Sequence, residues 1–349
     1  MKHSIKFLLL TFVFLFSTPV LAKDSFKVCW SIYVGWMPWD YGKNSGIVKK
    51  WADKYGISIE VVQINDYIES INQYTVGAYD GCTMTNMDAL TIPAAGGVDS
   101  TALVVGDFSN GNDGIVLKGK KNLKDIKGQT INLVELSVSH YLLARALDSV
   151  NLKEKDVKVV NTSDADMVAV YGTKGTTAVT TWNPLLSEIT AMPNSYKVYD
   201  SSQIPGEIID LMVVNTKTLK ANPKFGKALT GAWYEILSNM KGNSASAKKI
   251  RTQLGKASGT DLKGYDAQLA TTEMFFSAAD AVKFTNSPKL KQTMKNVAEF
   301  SFAHGLLGDT AKSAEVIGIE TPAGVFGNAK NIKFRFDPSY MKMAADGKL

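Results

Sequence analysis

The chain has 349 residues, 45% of them hydrophobic, more than one typical core accommodates, so two lobes are expected. Its formal net charge of +6 comes from lysines in scattered short pairs, with no basic stripe interleaved with aromatics. That pattern argues against a nucleic-acid-binding surface.

The first residues read as an export signal. Lys2 and Lys6 precede the apolar run Phe7 to Phe16, and Val20 and Ala22 put small residues at the −3 and −1 positions of a cleavage site. The expected signal peptide is 1–22, with the mature chain starting at Lys23. No cysteine stands at the cut, so no lipid anchor is expected. No later run approaches the length of a membrane span. The expected location is the periplasm of a Gram-negative bacterium.

Strand-like and helical runs then alternate. FKVCWSIYV reads as a strand, GIVKKWADKYG as a helix and ISIEVVQI as a second strand; the helix DYIESINQYTVG and the strand YDGCTM follow. This βαβαβ start predicts a parallel sheet with helices on both faces. Next come the helical MDALTIPAAGG and the strand STALVVGDF. The turn-rich SNGNDG, Ser109 to Gly114, is a natural crossing into a second lobe.

A second α/β series runs through GIVLKG, TINLVE, a helix from Ser139, DVKVVN and TTAVTT, which leads into Trp182-Asn183-Pro184. IIDLMVVN would carry the chain back, and from Pro223 the pattern is largely helical. The fold class expected is α/β, a two-lobed clamshell in which each lobe has a mainly parallel sheet flanked by helices. Lobe one takes 23–108 and 215–349, and lobe two takes 109–214.

Between the first strand and the first helix lies SIYVGWMPWDYG, Ser31 to Gly42. Its aromatics gather just past the strand end, where a parallel sheet opens into a cleft, and together with Asp40 they suit a small flat or cationic ligand. Cys29 and Cys82 are the only cysteines. An oxidising compartment permits one disulfide between them, but both sit in apolar strand-like runs, where free cysteine packs as a small hydrophobe, and packing is the preferred reading.

Three stretches carry a family resemblance: GWMPWD, SVSHYLLARAL (Ser137 to Leu147) and TWNP (Thr181 to Pro184). With them the chain resembles the substrate-binding proteins of ABC importers of the nitrate/sulfonate/taurine type, over nearly the whole mature length. INQYTVGAYDGCTMTNMDAL, GGVDSTALVVGDFSNGNDG and TWNPLLSE resemble a subgroup of urea transporters encoded beside urea carboxylase-type genes. The resemblance implies the type II periplasmic binding fold, a membrane permease and an ATPase as partners, a monomeric receptor, and guanidine or urea as ligand. It implies no cofactor.

The residues favour a cation. The three arginines, Arg145, Arg251 and Arg335, lie away from the predicted cleft loops, whereas Asp40, Asp88 and Glu135 lie on them, with Asp210 on the returning strand. An anion there would meet repulsion and desolvation; guanidinium would meet charge-assisted hydrogen bonds and aromatic faces. In this reading Asp88 and Glu135 accept paired N–H groups, while Trp36, Trp39 or Trp182 covers the flat face. Thr85, Asn86 and Asn183 take the remaining protons. Ser137 and Ser139 are helix caps or ligand contacts, and Asp210 is a ligand contact or a hinge group. Asp113 reads as a turn residue.

Urea, neutral and of similar outline, would leave a buried carboxylate without a charge partner. A taurine, sulfonate or nitrate-type solute held by helix N-terminal amides stays open as a further alternative. Catalysis is the rival class, because a related pyrimidine-synthesising group shares the fold. Against it, His140 begins a helix and His304 lies in the late helix EFSFAHGLL, where packing or a last-turn role is expected; no His/Cys cluster has metal-ligand spacing, and there is neither a Gly-x-Ser-x-Gly elbow nor a P-loop.

Overall fold

The computed structural model describes residues 24–349, so the expected signal peptide lies outside the described residues. The described residues build two sheets. Strands β1 (Ser25–Trp30), β2 (Ser58–Gln63), β3 (Gly81–Thr85) and β4 (Ser100–Ser109) come first. Then β5 (Asp113–Lys118), β6 (Thr130–Leu133), β7 (Lys158–Asn161), β8 (Ala178–Trp182) and β9 (Ser195–Asp200) form a separate five-stranded sheet in the order β7-β6-β8-β5-β9. The chain returns with β10 (Ile209–Asn215) and continues to β11 (Thr272–Met274), β12 (Gly318–Thr321), β13 (Gly324–Phe326) and β14 (Ile332–Phe336). These join the first four in a nine-stranded sheet ordered β13-β12-β14-β4-β10-β3-β1-β2, with β11 on β4.

The βαβαβ start follows its hydrophobic pattern: β1 lies between β2 and β3 and pairs with both in parallel. Its helices bury one face each; in Tyr67–Thr75 the buried residues Tyr67, Ser70, Ile71 and Tyr74 fall at three- and four-residue spacing, and the Asp66 carboxylate caps the first turn. β1 and β3 bring Cys29 and Cys82 opposite each other in register, and the structure joins them in a disulfide. The expectation of two packing thiols is thus corrected. Sequence alone did not show that two central neighbouring strands would align these positions.

Within SNGNDG, residues 110–112 separate β4 from β5 and so carry the chain between sheets. The returning strand is the expected IIDLMVVN, and only the boundary given for it shifts. β10 lies between β3 and β4, so the chain is back in the larger sheet at Ile209 and not at 215. The second crossing is the stretch from Ser201 to Ile208, which follows β9 directly. The late part is also less uniformly helical than its composition suggests, since β12, β14 and β13 extend the larger sheet beside β4. The smaller sheet is closed on one face by Met167, Tyr171, Leu186 and Ile189 packed on Val116 and Val179.

Candidate functional site

Strand register builds the site. Along the larger sheet Asp210, near the start of β10, is opposite Thr85 at the end of β3 and opposite Asp107 on β4, so three polar side chains stand in one row. In the smaller sheet Asp113, the first residue of β5, pairs with Trp182, the last of β8. The two rows meet across a buried cavity lined by Tyr33, Trp36, Tyr67, Thr85, Asp113, Val138, Trp182, Ile208 and Asp210. Every one of these residues is buried, so the lobes have closed over the space. In this closed form the cavity volume is about 10 Å³, room for roughly one water-sized molecule, so the site suits only a very small solute.

The walls are aromatic. Tyr33 meets the Trp36 ring edge-on at 4.9 Å, Trp36 lies 5.6 Å from Tyr67, and Tyr67 meets Trp182 edge-on at 5.6 Å. Trp182 also ties the lobes together, its indole N–H donating to the Ile32 carbonyl at 3.3 Å. Gly35 allows the loop to pass this close, because a Cβ there would fall 2.5 Å from the Tyr33 ring and 2.6 Å from an Asp107 oxygen.

Behind and between the rings lie four buried carboxyl groups. Asp88 accepts from the Tyr67 hydroxyl at 2.7 Å and the Thr85 hydroxyl at 2.8 Å through one oxygen, and its other oxygen has no hydrogen-bond partner among the described residues. Asp107 accepts from the Tyr33 hydroxyl at 2.9 Å. Asp113 is fixed at the joint between the crossings: Ser109 donates to it at 2.5 Å, and Ser201, from the second crossing, is 2.6 Å from Ser109. Among the described residues Asp210 and Asp107 each have one oxygen without a hydrogen-bond partner.

Among the described residues no lysine, arginine or histidine lines the cavity. Burial without a cation therefore raises these carboxyls well above the ordinary range. Desolvation pushes Asp113 to about 7 and, despite the Tyr67 and Thr85 hydrogen bonds, Asp88 to about 6. Asp107 and Asp210, opposite each other on neighbouring strands, are both raised, first by burial and, for Asp210, next by the facing Asp107 carboxylate. The same field drives the Tyr33 and Tyr67 hydroxyls up, burial again leading, so both stay neutral donors. The cavity is thus rich in acceptors and poor in positive charge.

The sequence-predicted residues divide. Trp36, Thr85, Trp182 and Asp210 line the cavity, and Asp88 stands behind Thr85 and Tyr67. Ser137 caps the helix Val138–Ser149 and donates to the Val134 carbonyl, whereas Ser139, fully buried, has a hydroxyl with no partner. Trp39 is turned away from the cavity and stacks on Trp233 at 5.1 Å, because Met37 and Pro38 already start a helix that buries it. Asp40, on the outer side of that helix, accepts from Asn44 in a surface groove. Glu135 is exposed; the strand β6 ends two residues earlier and Leu136, at φ 63°, turns the chain before the helix begins.

Asn86 spends its amide on the returning crossing, accepting from Ile209 N–H and donating to the Glu207 carbonyl. Asn183 caps the following turn, accepting from Ser187 and donating to Thr271. Neither lines the cavity. The arginines are engaged elsewhere, Arg145 with Glu207, Arg251 with Asp266 and Arg335 with Asp99 and Glu320. Sequence reasoning missed Tyr33, Tyr67, Asp107 and Asp113 as site residues. Asp107 gave the same signal as Asp210, a carboxylate inside an apolar strand, and Tyr33 lay in the aromatic loop itself.

Residues 48–247, more than half of the chain, match the model of the family described as NMT1/THI5 like. The chain belongs to this family. As an NMT1/THI5-like protein it superimposes on the alkanesulfonate-binding protein SsuA from Xanthomonas axonopodis pv. citri bound to MOPS, with a TM-score of 0.67 at 16% identity, covering 83% of this chain and 96% of that one. The periplasmic nitrate-binding protein NrtA from Synechocystis PCC 6803 matches with a TM-score of 0.58 at 14% identity, over 94% and 99% of the two chains. These likenesses show the fold: an α/β two-lobed periplasmic binding protein architecture with helix-flanked sheets. A binding protein of Brucella abortus (strain 2308) is 31% identical over 101 residues, 29% of this chain and 31% of its own length. The match therefore spans less than a third of that curated relative.

Proposed function

We propose that this NMT1/THI5-like protein is the periplasmic solute receptor of an ABC importer, a binding protein and not an enzyme, whose ligand is a small planar nitrogen cation, guanidinium foremost. The observation that carries the reading is the closed, aromatic-walled cavity with Asp113 and Asp210 on its surface, Asp88 and Asp107 behind them, and no basic side chain among its lining residues. A guanidinium ion supplies positive charge and N–H donors on every edge, matching acceptors that otherwise hold protons or go unpartnered. The rings of Trp36, Tyr67 and Trp182 exclude water and add cation–π attraction of roughly 1–2 kcal/mol. Capture between the lobes, followed by docking of the closed form on a permease driven by its ATPase, is the transport step this fold serves. The receptor would act as a monomer.

A second reading has its own support: the structural neighbours include proteins whose names specify an alkanesulfonate and nitrate. The N-terminus of the helix Val138–Ser149, with the unpartnered Ser139 hydroxyl, is the feature an anion would use, and urea would use both amide donors and carboxyl acceptors. The deciding experiment is a thermal-shift titration against guanidine, methylguanidine, urea, taurine and nitrate. At a hundredfold excess over Kd a ligand adds about 2.7 kcal/mol, several degrees of melting temperature. Stabilisation by guanidine with none by taurine or nitrate supports the cation reading; the reverse pattern overturns it.

A further inference from the structure

Outside the cavity, the structure brings together two histidines and a glutamate that are widely separated in the chain. His140 lies in the first turn of the helix Val138–Ser149, and Glu154 is on the short 3-10 turn Glu154–Asp156; both belong to the smaller sheet's lobe. His304 ends the helix Pro288–Ala303, which packs on β12 and β13 of the larger sheet. Glu154 Oε1 is 2.5 Å from His304 Nε2, and Glu154 Oε2 is 3.4 Å from His140 Nε2. The carboxylate thus faces a histidine of each lobe.

Hydrogen-bond partners assign the ring protons. His304 Nδ1 is 2.8 Å from the Phe300 carbonyl, which only accepts, so Nδ1 carries a proton. Its Nε2 faces a carboxylate oxygen, which needs a second proton on the same ring. His304 is therefore an imidazolium, with Phe300 stacked on its face at 4.0 Å. His140 differs: its Nδ1 accepts from Leu136 N–H at 3.1 Å, so the neutral ring carries its proton on Nε2, toward Glu154. That tautomer argues against a metal centre, because both Nε2 lone pairs would have to be free.

We propose that His140, Glu154 and His304 form a proton-held clasp between the two lobes, closed when His304 is charged and weakened when it is neutral. Deprotonation leaves the ring one proton for two acceptors, the Phe300 carbonyl and Glu154 Oε1, and removes the positive charge that faces the carboxylate, so the attraction across the interface is weakened. The other charged groups around the cluster are already engaged. From the helix Val138–Ser149, Arg145 holds Glu207 and Asp148 holds Lys153. Asp156 of the turn approaches Lys127, and Glu299 of the late helix approaches Lys295. None replaces the lost charge without breaking its own pair.

The proton shifts agree with this assignment. His304 is raised above its ordinary 6.5, first by the hydrogen bond to Glu154, and Glu154 is lowered to about 2, first by hydrogen bonds from His140 and His304. The clasp is therefore complete from roughly pH 4.5 to 6.5 and is lost as pH rises through the raised His304 value. This inference is independent of which solute the cavity holds, so it is tested on the ligand-free protein.

The test is an NMR titration of the histidine side chains, paired with small-angle scattering from pH 5.5 to 8.5. The expected result is a His304 midpoint above 6.5 that falls back in Glu154→Gln, with a radius of gyration that grows as His304 titrates. His304→Gln should abolish that growth. An unraised midpoint, or a pH-independent shape in the unmodified protein, overturns the clasp, and both are read without any variant. Stoichiometric zinc binding by calorimetry, lost in His140→Ala and His304→Ala, would also overturn it in favour of a metal site.

Discussion

Lowering the pH should weaken capture of a cation by a calculable amount, because the cavity stores protons where the ligand's charge must sit. Asp113 holds its proton up to about pH 7 in the empty site, since burial leads and no cation lies nearby. If guanidinium requires the ionised form, apparent Kd scales with the fraction of Asp113 that is deprotonated. Between pH 7.5 and 5.5 that fraction falls by about 25-fold, and Kd should rise by the same factor. Any proton displaced from the Asp107–Asp210 pair steepens the dependence. Isothermal titration calorimetry in buffers of different ionisation enthalpy measures both quantities, since proton release should approach one per ligand near pH 5.5. Asp113→Asn should bind at least tenfold more weakly at pH 7.5 and show a flatter profile. A Kd independent of pH, or one that tightens in acid, refutes the argument and favours a neutral or anionic ligand.

Further outcomes follow from the same geometry. The ligand-free protein should lose melting temperature as pH rises from 4 to 8. Buried carboxyls raised from an ordinary 3.8 contribute stability that is complete below that pH and lost through about 6 for Asp88 and about 7 for Asp113. Scanning calorimetry checks the sign, and saturating guanidine should restore the loss. Trp233→Ala, which removes the ring stacked on Trp39 outside the cavity, should cost about 3–5 kcal/mol in urea unfolding while ligand stoichiometry stays unchanged. Glu135→Gln, at an exposed side chain, should leave Kd within twofold by calorimetry. Replacing Cys29 and Cys82 with alanine opens a link across 53 residues and should cost about 4 kcal/mol by the loop-entropy relation, again read by urea unfolding.

How much of this could be read from the chain depends on whether a signal is local. The alternation of strand and helix, the parallel start and the crossing at SNGNDG are properties of short segments, set by hydrophobic period and turn chemistry, and they appear in the structure at nearly the expected places. The aromatic loop was legible for the same reason, and Trp36 and Trp182 do reach the cavity. Asp210 stood out because a charge inside an apolar strand needs an explanation.

The choice among neighbouring residues was a different matter. Trp36 and Trp39 are three positions apart in one loop. One faces the cavity and the other stacks on Trp233, because a helix beginning at Pro38 rotates the second indole into the core. Glu135 and Asp88 both follow strands, and only the turn at Leu136 decides that the first points to solvent. Asp113 looked like a turn residue because its partners, Trp182 across the strand and Ser201 on the other crossing, are far away in sequence. The sequence by itself determined the fold class, the aromatic loop and the lone carboxylate, Asp210, in the apolar returning strand. Only the tertiary structure decided which four carboxyls converge, that Cys29 meets Cys82, and that His140 and His304 share Glu154. The physical reason is register: strand pairing and lobe closure bring distant positions together, and no local period encodes which residues they will align.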